Sequence, residues 1–183
     1  MATSAAMDQF DKSMKKQIEA IARVLHLVRS CKEENIPIKI DKHLFLGSIG
    51  TATDKVALNK VNITHILTVA DKLPPAFPAE FVYKVIAVAD RDDVDLKQYF
   101  KECFGFINGA KRHGGNVLVH CFAGRSRSVT IIVAYLMKTS GMSFSEAMQH
   151  VRRKRPSAYP NAGFIQQLED FEKSIQGTYE DEN

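Results

Sequence analysis

The 183-residue sequence has few cysteines, no long apolar run and no N-terminal targeting pattern. Its three cysteines, Cys31, Cys103 and Cys121, are an odd number at wide spacings, which fits neither a disulfide framework nor a zinc cluster. The longest apolar run, Val129 to Met137, is about half of the roughly 20 residues that a membrane-spanning helix needs. Residues 1–10 lack a charged start followed by an apolar stretch. We therefore expect a cytosolic or nuclear protein without a membrane span.

Two further absences concern chemistry. The sequence has no Gly-x-x-x-x-Gly-Lys-Ser/Thr motif, which argues against nucleotide hydrolysis by that route. Its His, Asp and Glu residues form no cluster at metal-ligand spacing, so we expect neither a metal nor another cofactor. The formal charge of +4 suits an anionic substrate without identifying one, and we expect no nucleic-acid partner.

The spacing of apolar residues predicts a single α/β domain. Short β-rich runs predict strands, and three-or-four spacing predicts helices between and after them. Because strands alternate with helices, we expect a central, mostly parallel sheet of about five strands flanked by helices. The predicted strands are 38–40, 44–46, 64–69, 81–88 and 117–120, and predicted helices begin near Leu96, Ser143 and Asn161.

Residues 8–30 predict an additional, N-terminal amphipathic helix. One interpretation is a helix packed permanently on the core. A basic amphipathic helix also suits a Met-rich hydrophobic groove, so calmodulin is a candidate partner. The apolar stripe consists of Met14, Ile18, Ile21, Leu25 and Val28, and the basic residues are Lys12, Lys15, Lys16, Arg23 and Arg29.

The segment from His120 to Ser128 joins a predicted buried strand to the apolar helix through a glycine-bearing loop. Such a loop directs successive backbone N–H groups, and the positive end of the helix, toward one point, which is a ready anion site. Cys121 stands at the end of the strand, facing Arg125 and Arg127. That environment favours the thiolate, which is the nucleophilic form of cysteine.

The spacing His-Cys-x-x-Gly-x-x-Arg-Ser resembles the signature of the protein tyrosine phosphatase superfamily. The Ser-Arg-Ser ending resembles its dual-specificity branch, especially the small, MAP-kinase-phosphatase-like members. The resemblance extends to Ala134-Tyr135-Leu136-Met137 and to the segment from Arg155 to Phe164, and it covers about residues 36–178. We therefore expect a dual-specificity phosphatase catalytic domain at 36–178, an N-terminal helical segment at 1–35 and an acidic tail at 179–183.

The resemblance implies a role for each residue of this loop. Cys121 would be the nucleophile that carries a cysteinyl-phosphate intermediate, and Arg127 the bidentate phosphate clamp. Ser128 would donate to the Cys121 sulfur and ease its departure, and His120 would orient the loop. Arg155 would stand near the pocket rim as a second anion contact, although a solvated helix end explains it equally well. The phosphate cradle would be Phe122, Ala123, Gly124, Arg125, Ser126 and Arg127.

Phosphoryl transfer to a thiolate also requires an acid that protonates the leaving oxygen. Asp90, Asp92, Asp93 and Asp95 are the candidates. Asp95 fits a helix cap, whereas Asp90 is the first polar residue after a predicted strand, where loops carry function. We predict that Asp90 is the general acid, and the resemblance agrees.

These residues predict an enzyme that hydrolyses phosphotyrosine and phosphoserine or phosphothreonine in proteins, with MAP kinases among the candidate substrates. A phosphatase of the same chemistry acting on phosphoinositides or RNA ends is an alternative. The resemblance disfavours the phosphoinositide option, because superfamily members that act on phosphoinositides tend to carry lysines in the loop and this loop has none. A phosphoprotein-binding module without activity is a second alternative, which the presence of Cys121, Arg127 and Asp90 disfavours.

Overall fold

The computed structural model describes residues 35–180 and, in the N-terminal segment, Met14 alone. The chain divides into two units, residues 1–34 and residues 35–183, and the second unit is described here. The predicted helix at 8–30 otherwise lies outside the described residues and stays a prediction.

Five strands form one sheet in the order β1-β2-β5-β3-β4. Every neighbouring pair is parallel except β1 and β2, which are antiparallel at one edge. The central strand β5 pairs with both β2 and β3, so Leu118 lies opposite Phe45 and Ile66. The predicted mostly parallel sheet is confirmed. The strands are β1 (Ile38–Asp41), β2 (Leu44–Gly47), β3 (Ile63–Val69), β4 (Val82–Ile86) and β5 (Asn116–His120).

Helices cover both faces of the sheet, so its central strands are buried on both sides. Successive side chains of a strand point to opposite faces. Val117 and Val119 therefore enter the larger core, and Leu118 enters the smaller one. The helices are α1 (Ile49–Thr53), α2 (Lys55–Lys60), α3 (Phe100–Arg112), α4 (Arg127–Ser140), α5 (Phe144–Lys154) and α6 (Ala162–Glu180), with a 3₁₀ turn (Lys97–Tyr99) before α3.

Helix α4 occupies the centre of the larger core. Every residue from Arg127 to Met137 is buried, which explains why the sequence is apolar around the whole helix. The helix ends at Gly141, whose φ of 65° is the left-handed conformation common after a helix. Within the described residues, no helix is both long enough and apolar enough to cross a membrane.

Side-chain caps begin several of these helices. Ser143 and Glu146 form a capping box at α5, where a helix start was predicted, and the Asp95 carboxylate accepts the backbone N–H of Gln98 at 3.2 Å. The short helices α1 and α2 were not predicted, since five and six residues are too few to show a periodicity.

Candidate active site

The loop from Cys121 to Ser126 connects β5 to α4, at the carboxyl edge of the sheet. Because β5 is flanked by β2 and β3, the loop emerges among the ends of three parallel strands. Loops at this edge of an open parallel sheet are where such folds bind ligands. The predicted strand, loop and helix are therefore all present.

Surrounding groups hold the loop's carbonyl oxygens on its outer side. A trans peptide directs its N–H opposite to its C=O, so outward carbonyls turn the following N–H groups into the concave side. Concave N–H groups form an anion site. The outward contacts are Ile49 N–H to Phe122 O at 3.0 Å, Arg155 Nη2 to Ala123 O at 2.8 Å, Tyr159 N–H to Arg125 O at 2.7 Å and Thr130 N–H to Ser126 O at 2.9 Å.

Gly124 allows the loop to lie directly against the end of β2. Its φ is 65°, a left-handed conformation that side chains disfavour. A Cβ at this position would lie 2.5 Å from the carbonyl oxygen of Gly47. Glycine is therefore required here on two independent grounds, backbone conformation and space.

Two donors converge on the Cys121 sulfur. The Gly124 N–H and the Ser128 hydroxyl each lie 3.2 Å from Sγ, which places Ser128 where the resemblance implies a donor to the sulfur. Both groups donate to the sulfur, so both would stabilise negative charge that develops on it. The Cys121 residue is 1% exposed.

Cys103 provides a contrast within the same domain. It is fully buried in the core on α3, and burial raises its pKa to about 12. Cys103 is therefore an inert thiol. Cys31 lies outside the described residues.

The Arg127 guanidinium is buried beside the loop. Its Nη1 donates to the Val88 carbonyl at 3.0 Å, and its Nε lies 3.4 Å from Oδ2 of Asp90. This Nε pairs electrostatically with Asp90 but makes no hydrogen bond within the described residues. Nη1 also lies 3.6 Å from Oδ1 of Asp71.

The sequence reasoning missed Asp71. It follows β3 as Asp90 follows β4, and the same argument about strand ends would have selected it. Its backbone N–H donates to the Val88 carbonyl, which also accepts from Arg127. Val88 therefore links the two loops that approach Arg127.

Only one oxygen of the Asp90 carboxylate accepts hydrogen bonds within the described residues. Oδ1 accepts the Ser126 hydroxyl at 2.6 Å and the Asn161 amide at 2.9 Å, while Oδ2 faces Arg127. Strand β4 ends at Ile86, earlier than predicted, so Asp90 lies on the loop rather than directly at the strand end. Asn161 was predicted only as the start of a helix, and its sequence position carried no signal for its contact with Asp90.

The other three aspartates have different surroundings. Asp93 forms an exposed ion pair with Arg91, and this hydrogen bond lowers the pKa of the Asp93 carboxyl. The carbonyl of Asp92 lies against Gly163, where a Cβ would come within 2.0 Å of it. Asp95 caps the turn before α3 as predicted. Of the four candidates, Asp90 is the aspartate that approaches Arg127.

His120 lies beneath the loop with both ring nitrogens engaged. Nδ1 lies 3.3 Å from the Cys121 carbonyl, which only accepts, so Nδ1 carries the proton. Nε2 then accepts the Thr68 hydroxyl at 2.8 Å. Burial lowers the pKa of His120 to about 4, which keeps the ring neutral at neutral pH.

The position of Arg155 differs from both positions expected for it, the pocket rim and a solvated helix end. Its residue is 3% exposed, and the guanidinium donates to the Ala123 carbonyl from behind the loop. It is therefore placed to brace the loop, not to stand on an exposed rim. Phe122 and Arg125 within the loop are exposed, as is Tyr159, whose backbone N–H donates to the loop. No group of three His, Cys, Asp or Glu side chains within the described residues is arranged to hold a metal.

The chain belongs to the dual specificity phosphatases, because the family model described as "Dual specificity phosphatase, catalytic domain" matches residues 44–174. It is 54% identical over 170 residues to dual specificity protein phosphatase 1 of Arabidopsis thaliana, across 93% of this chain and 86% of the relative. It is 60% identical over 139 residues to dual specificity protein phosphatase 1B of the same plant, across 76% and 83%.

Solved structures agree. The crystal structure of DUSP15 superposes with a TM-score of 0.75 at 39% identity, across 79% of this chain and 92% of that one. Human tyrosine phosphatase-like serine/threonine/tyrosine-interacting protein gives 0.75 at 34% identity, across 78% and 99%. The resemblance drawn from the sequence is confirmed, and the protein is a protein phosphatase of the protein-tyrosine/dual-specificity class.

Proposed function

We propose that this phosphatase removes phosphate from phosphotyrosine and from phosphoserine or phosphothreonine in proteins, through a cysteinyl-phosphate on Cys121. The observation that supports this is the convergence of Cys121, Arg127 and Asp90 on one anion-binding loop. MAP kinases are the candidate substrates that the family resemblance suggests.

Binding would depend on the loop and on Arg127. The inward N–H groups and the N-terminus of α4 attract a phosphate dianion. The Arg127 Nε, buried without a hydrogen bond in the described part of the chain, is a donor that a phosphate oxygen would satisfy. A guanidinium suits this task because its planar fork donates to two oxygens at once.

In the first step, a thiolate electron pair on Cys121 forms the S–P bond while the P–O bond to the substrate breaks. Asp90 would supply a proton to the departing oxygen. Because Oδ1 already accepts two hydrogen bonds, Oδ2 is the oxygen left to carry that proton.

In the second step, water attacks the phosphorus, the Asp90 carboxylate takes a water proton, and the S–P bond returns its electrons to sulfur. The Ser128 hydroxyl, 3.2 Å from Sγ, would stabilise the departing thiolate. Phosphate and the original enzyme result, without a metal in either step.

The test of the mechanism is acid-quenched enzyme analysed by mass spectrometry. A phosphoryl group should be found on Cys121, and it should accumulate in Ser128→Ala, where breakdown is slowed. Cys121→Ser should fold normally by thermal denaturation yet lose activity, because a hydroxyl is a poor nucleophile here. More than about one hundredth of wild-type activity in Cys121→Ser would overturn the nucleophile assignment.

The test of specificity is phosphate release from matched substrates. One peptide sequence carrying phosphotyrosine, phosphothreonine or phosphoserine should be hydrolysed in all forms, and faster than a phosphoinositide headgroup. A doubly phosphorylated MAP kinase tests the suggested substrate directly. Turnover confined to phosphotyrosine would overturn dual specificity, and faster turnover of the phosphoinositide would favour the lipid alternative.

Binding of the N-terminal segment to calmodulin remains a proposal from the sequence, because residues 8–30 lie outside the described residues apart from Met14. The basic charge of that segment suits an acidic, calcium-loaded partner. The full chain should be retained on calmodulin in calcium and released by chelator, whereas a chain starting at Lys32 should not be retained. Equal retention of both chains would dismiss the segment as the binding site.

A further inference from the structure

A groove of about 660 Å³ lies between α3, α6 and the C-terminal end of α4. Three aromatic residues that line it, Phe100, Phe104 and Phe171, contact one another with ring centroids 5.1 to 6.1 Å apart. Phe100 is buried, whereas Phe104 and Phe171 are partly exposed. Interlocked rings give the groove a rigid apolar floor.

Lysines surround this floor. Lys97, Lys101 and Lys138 line the groove, one from each of three structural elements, and its lining includes no carboxylate. Within the described part of the chain, none of the three lysines forms an ion pair. The groove therefore combines an apolar floor with a positively charged rim.

A glycine keeps one wall of the groove open. Gly105 lies within α3, where glycine costs about 1 kcal/mol relative to alanine. A Cβ at this position would meet no atom within 4 Å, so packing inside the protein does not require the glycine. Its absent side chain leaves room for an occupant.

This groove is separate from the active site. Arg127 begins α4 and Lys138 lies in its last turn, about 16 Å away along the helix at 1.5 Å per residue. Within the described residues, none of the side chains that line the groove hydrogen-bonds to the phosphate loop. A ligand in the groove would therefore not occupy the phosphate site.

We propose that the groove is a docking site for an acidic segment of a protein partner that carries an aromatic or leucine anchor. The anchor would cover the three phenylalanines, and the acidic residues would face the lysines. Residues 8–30 of this chain are a poorer match, because five basic side chains outnumber three acidic ones there. A second copy of the chain bound through the same groove is also a poorer match, because its lysine rim would face the lysine rim of the first copy.

The identity of the partner as a phosphoprotein substrate rests on the proposed function. The docking of an acidic segment in the groove does not. Binding is therefore measured without catalysis. The probe is a fluorescein-labelled peptide of about twelve residues, Asp and Glu with one Phe and one Leu one helical turn apart. Fluorescence anisotropy with the full chain should show binding that weakens with added salt.

Two variants address the groove, and each has a matched control. Lys101→Glu reverses one rim charge, and Lys42→Glu makes the same charge change in the turn between β1 and β2. Gly105→Leu fills the groove, and Gly109→Leu makes the same change one turn later on α3, outside the lining. Each groove variant should weaken peptide binding at least about tenfold, and neither control should weaken it more than about twofold.

All four variants should retain wild-type turnover of a small aryl phosphate, which needs only the phosphate loop. Failure of the full chain to bind the peptide would overturn the proposal. So would equal effects of groove variants and controls, which would indicate nonspecific attraction to a basic protein. A chain that self-associates, with a dimer that Gly105→Leu dissociates, would assign the groove to a second copy and overturn the acidic partner.

Discussion

At the scale of single residues, Asp90 is distinguished from the other three candidate aspartates by its approach to Arg127. We predict that Asp90→Asn lowers the rate about 10² to 10⁴-fold on phenyl and alkyl phosphates, which need a proton on the leaving oxygen. Substrates whose leaving group needs no proton should be affected less. Kinetics across a series of aryl phosphates measures the difference.

Asp92→Asn is the matched control for this experiment, since it removes a carboxylate from the same loop without touching Arg127. Its rate should be unchanged for every leaving group. If Asp92→Asn shows the leaving-group dependence and Asp90→Asn does not, the wrong carboxylate has been assigned.

Asn161 has two roles that substitution can separate. Its Oδ1 accepts the Phe164 N–H at 2.9 Å and caps α6, while its Nδ2 donates to Asp90. We predict that Asn161→Asp keeps the cap, because Asp and Asn cap helices about equally, but loses the donor. The rate on poor leaving groups should fall about tenfold with little change in melting temperature.

Asn161→Ala should lose both roles and about 1 kcal/mol of unfolding free energy. A fall in rate that is equal for good and poor leaving groups in Asn161→Asp would show that the amide positions something other than Asp90.

At the scale of elements, two glycines with the same backbone conformation have different surroundings. Gly124 and Gly141 both have φ of 65°, but a Cβ at Gly124 overlaps the Gly47 carbonyl, whereas at Gly141 it meets nothing within 4 Å. We predict that Gly124→Ala displaces the phosphate loop and lowers kcat/KM at least about 10²-fold, because small misplacements of reacting groups are costly.

Gly141→Ala should cost about 1 kcal/mol of stability from backbone strain alone, with wild-type kinetics. Denaturant unfolding and steady-state kinetics on both variants check the pair. Equal kinetics for Gly124→Ala and the wild type would mean that the loop tolerates a shift at its contact with β2.

At the scale of the whole molecule, the neutral state of His120 links stability to pH. Its pKa is about 4 in the folded protein and ordinarily about 6.5, so the unfolded chain binds this proton first as pH falls. We predict that stability declines between about pH 6.5 and pH 4 and that His120 contributes no further change below pH 4. This histidine should account for about 2 kcal/mol of the loss between pH 7 and pH 5.

Urea unfolding of the wild type and of His120→Gln at both pH values measures that contribution. His65, whose pKa burial also lowers, is present in both proteins, so its effect cancels in the comparison. The variant should be less stable at pH 7 but should lose less stability on acidification. An identical loss in both proteins would remove His120 as the cause.

Much of the fold was predictable because its signals are local. Short β-rich runs indicated the five strands, and the Ser143 and Glu146 pair marked the start of α5. The helices α1 and α2 were missed because each is shorter than two helical turns, and their capping residues Ser48 and Asp54 were not read as helix starts. The strand order could not be predicted from local signals, since pairing between β2 and β5 joins residues that are distant in sequence.

The sequence by itself determined which groups the loop brings together, because Cys121, Gly124, Arg127 and Ser128 lie within eight consecutive residues whose spacing sets their geometry. Tertiary structure alone decided what surrounds that loop. Asp71, Asp90 and Asn161 come from separate segments, and only the folded sheet brings them to one edge. The burial of Arg155 behind the loop was likewise decided by packing, because a charge at a helix end has the same sequence pattern whether it faces solvent or a carbonyl.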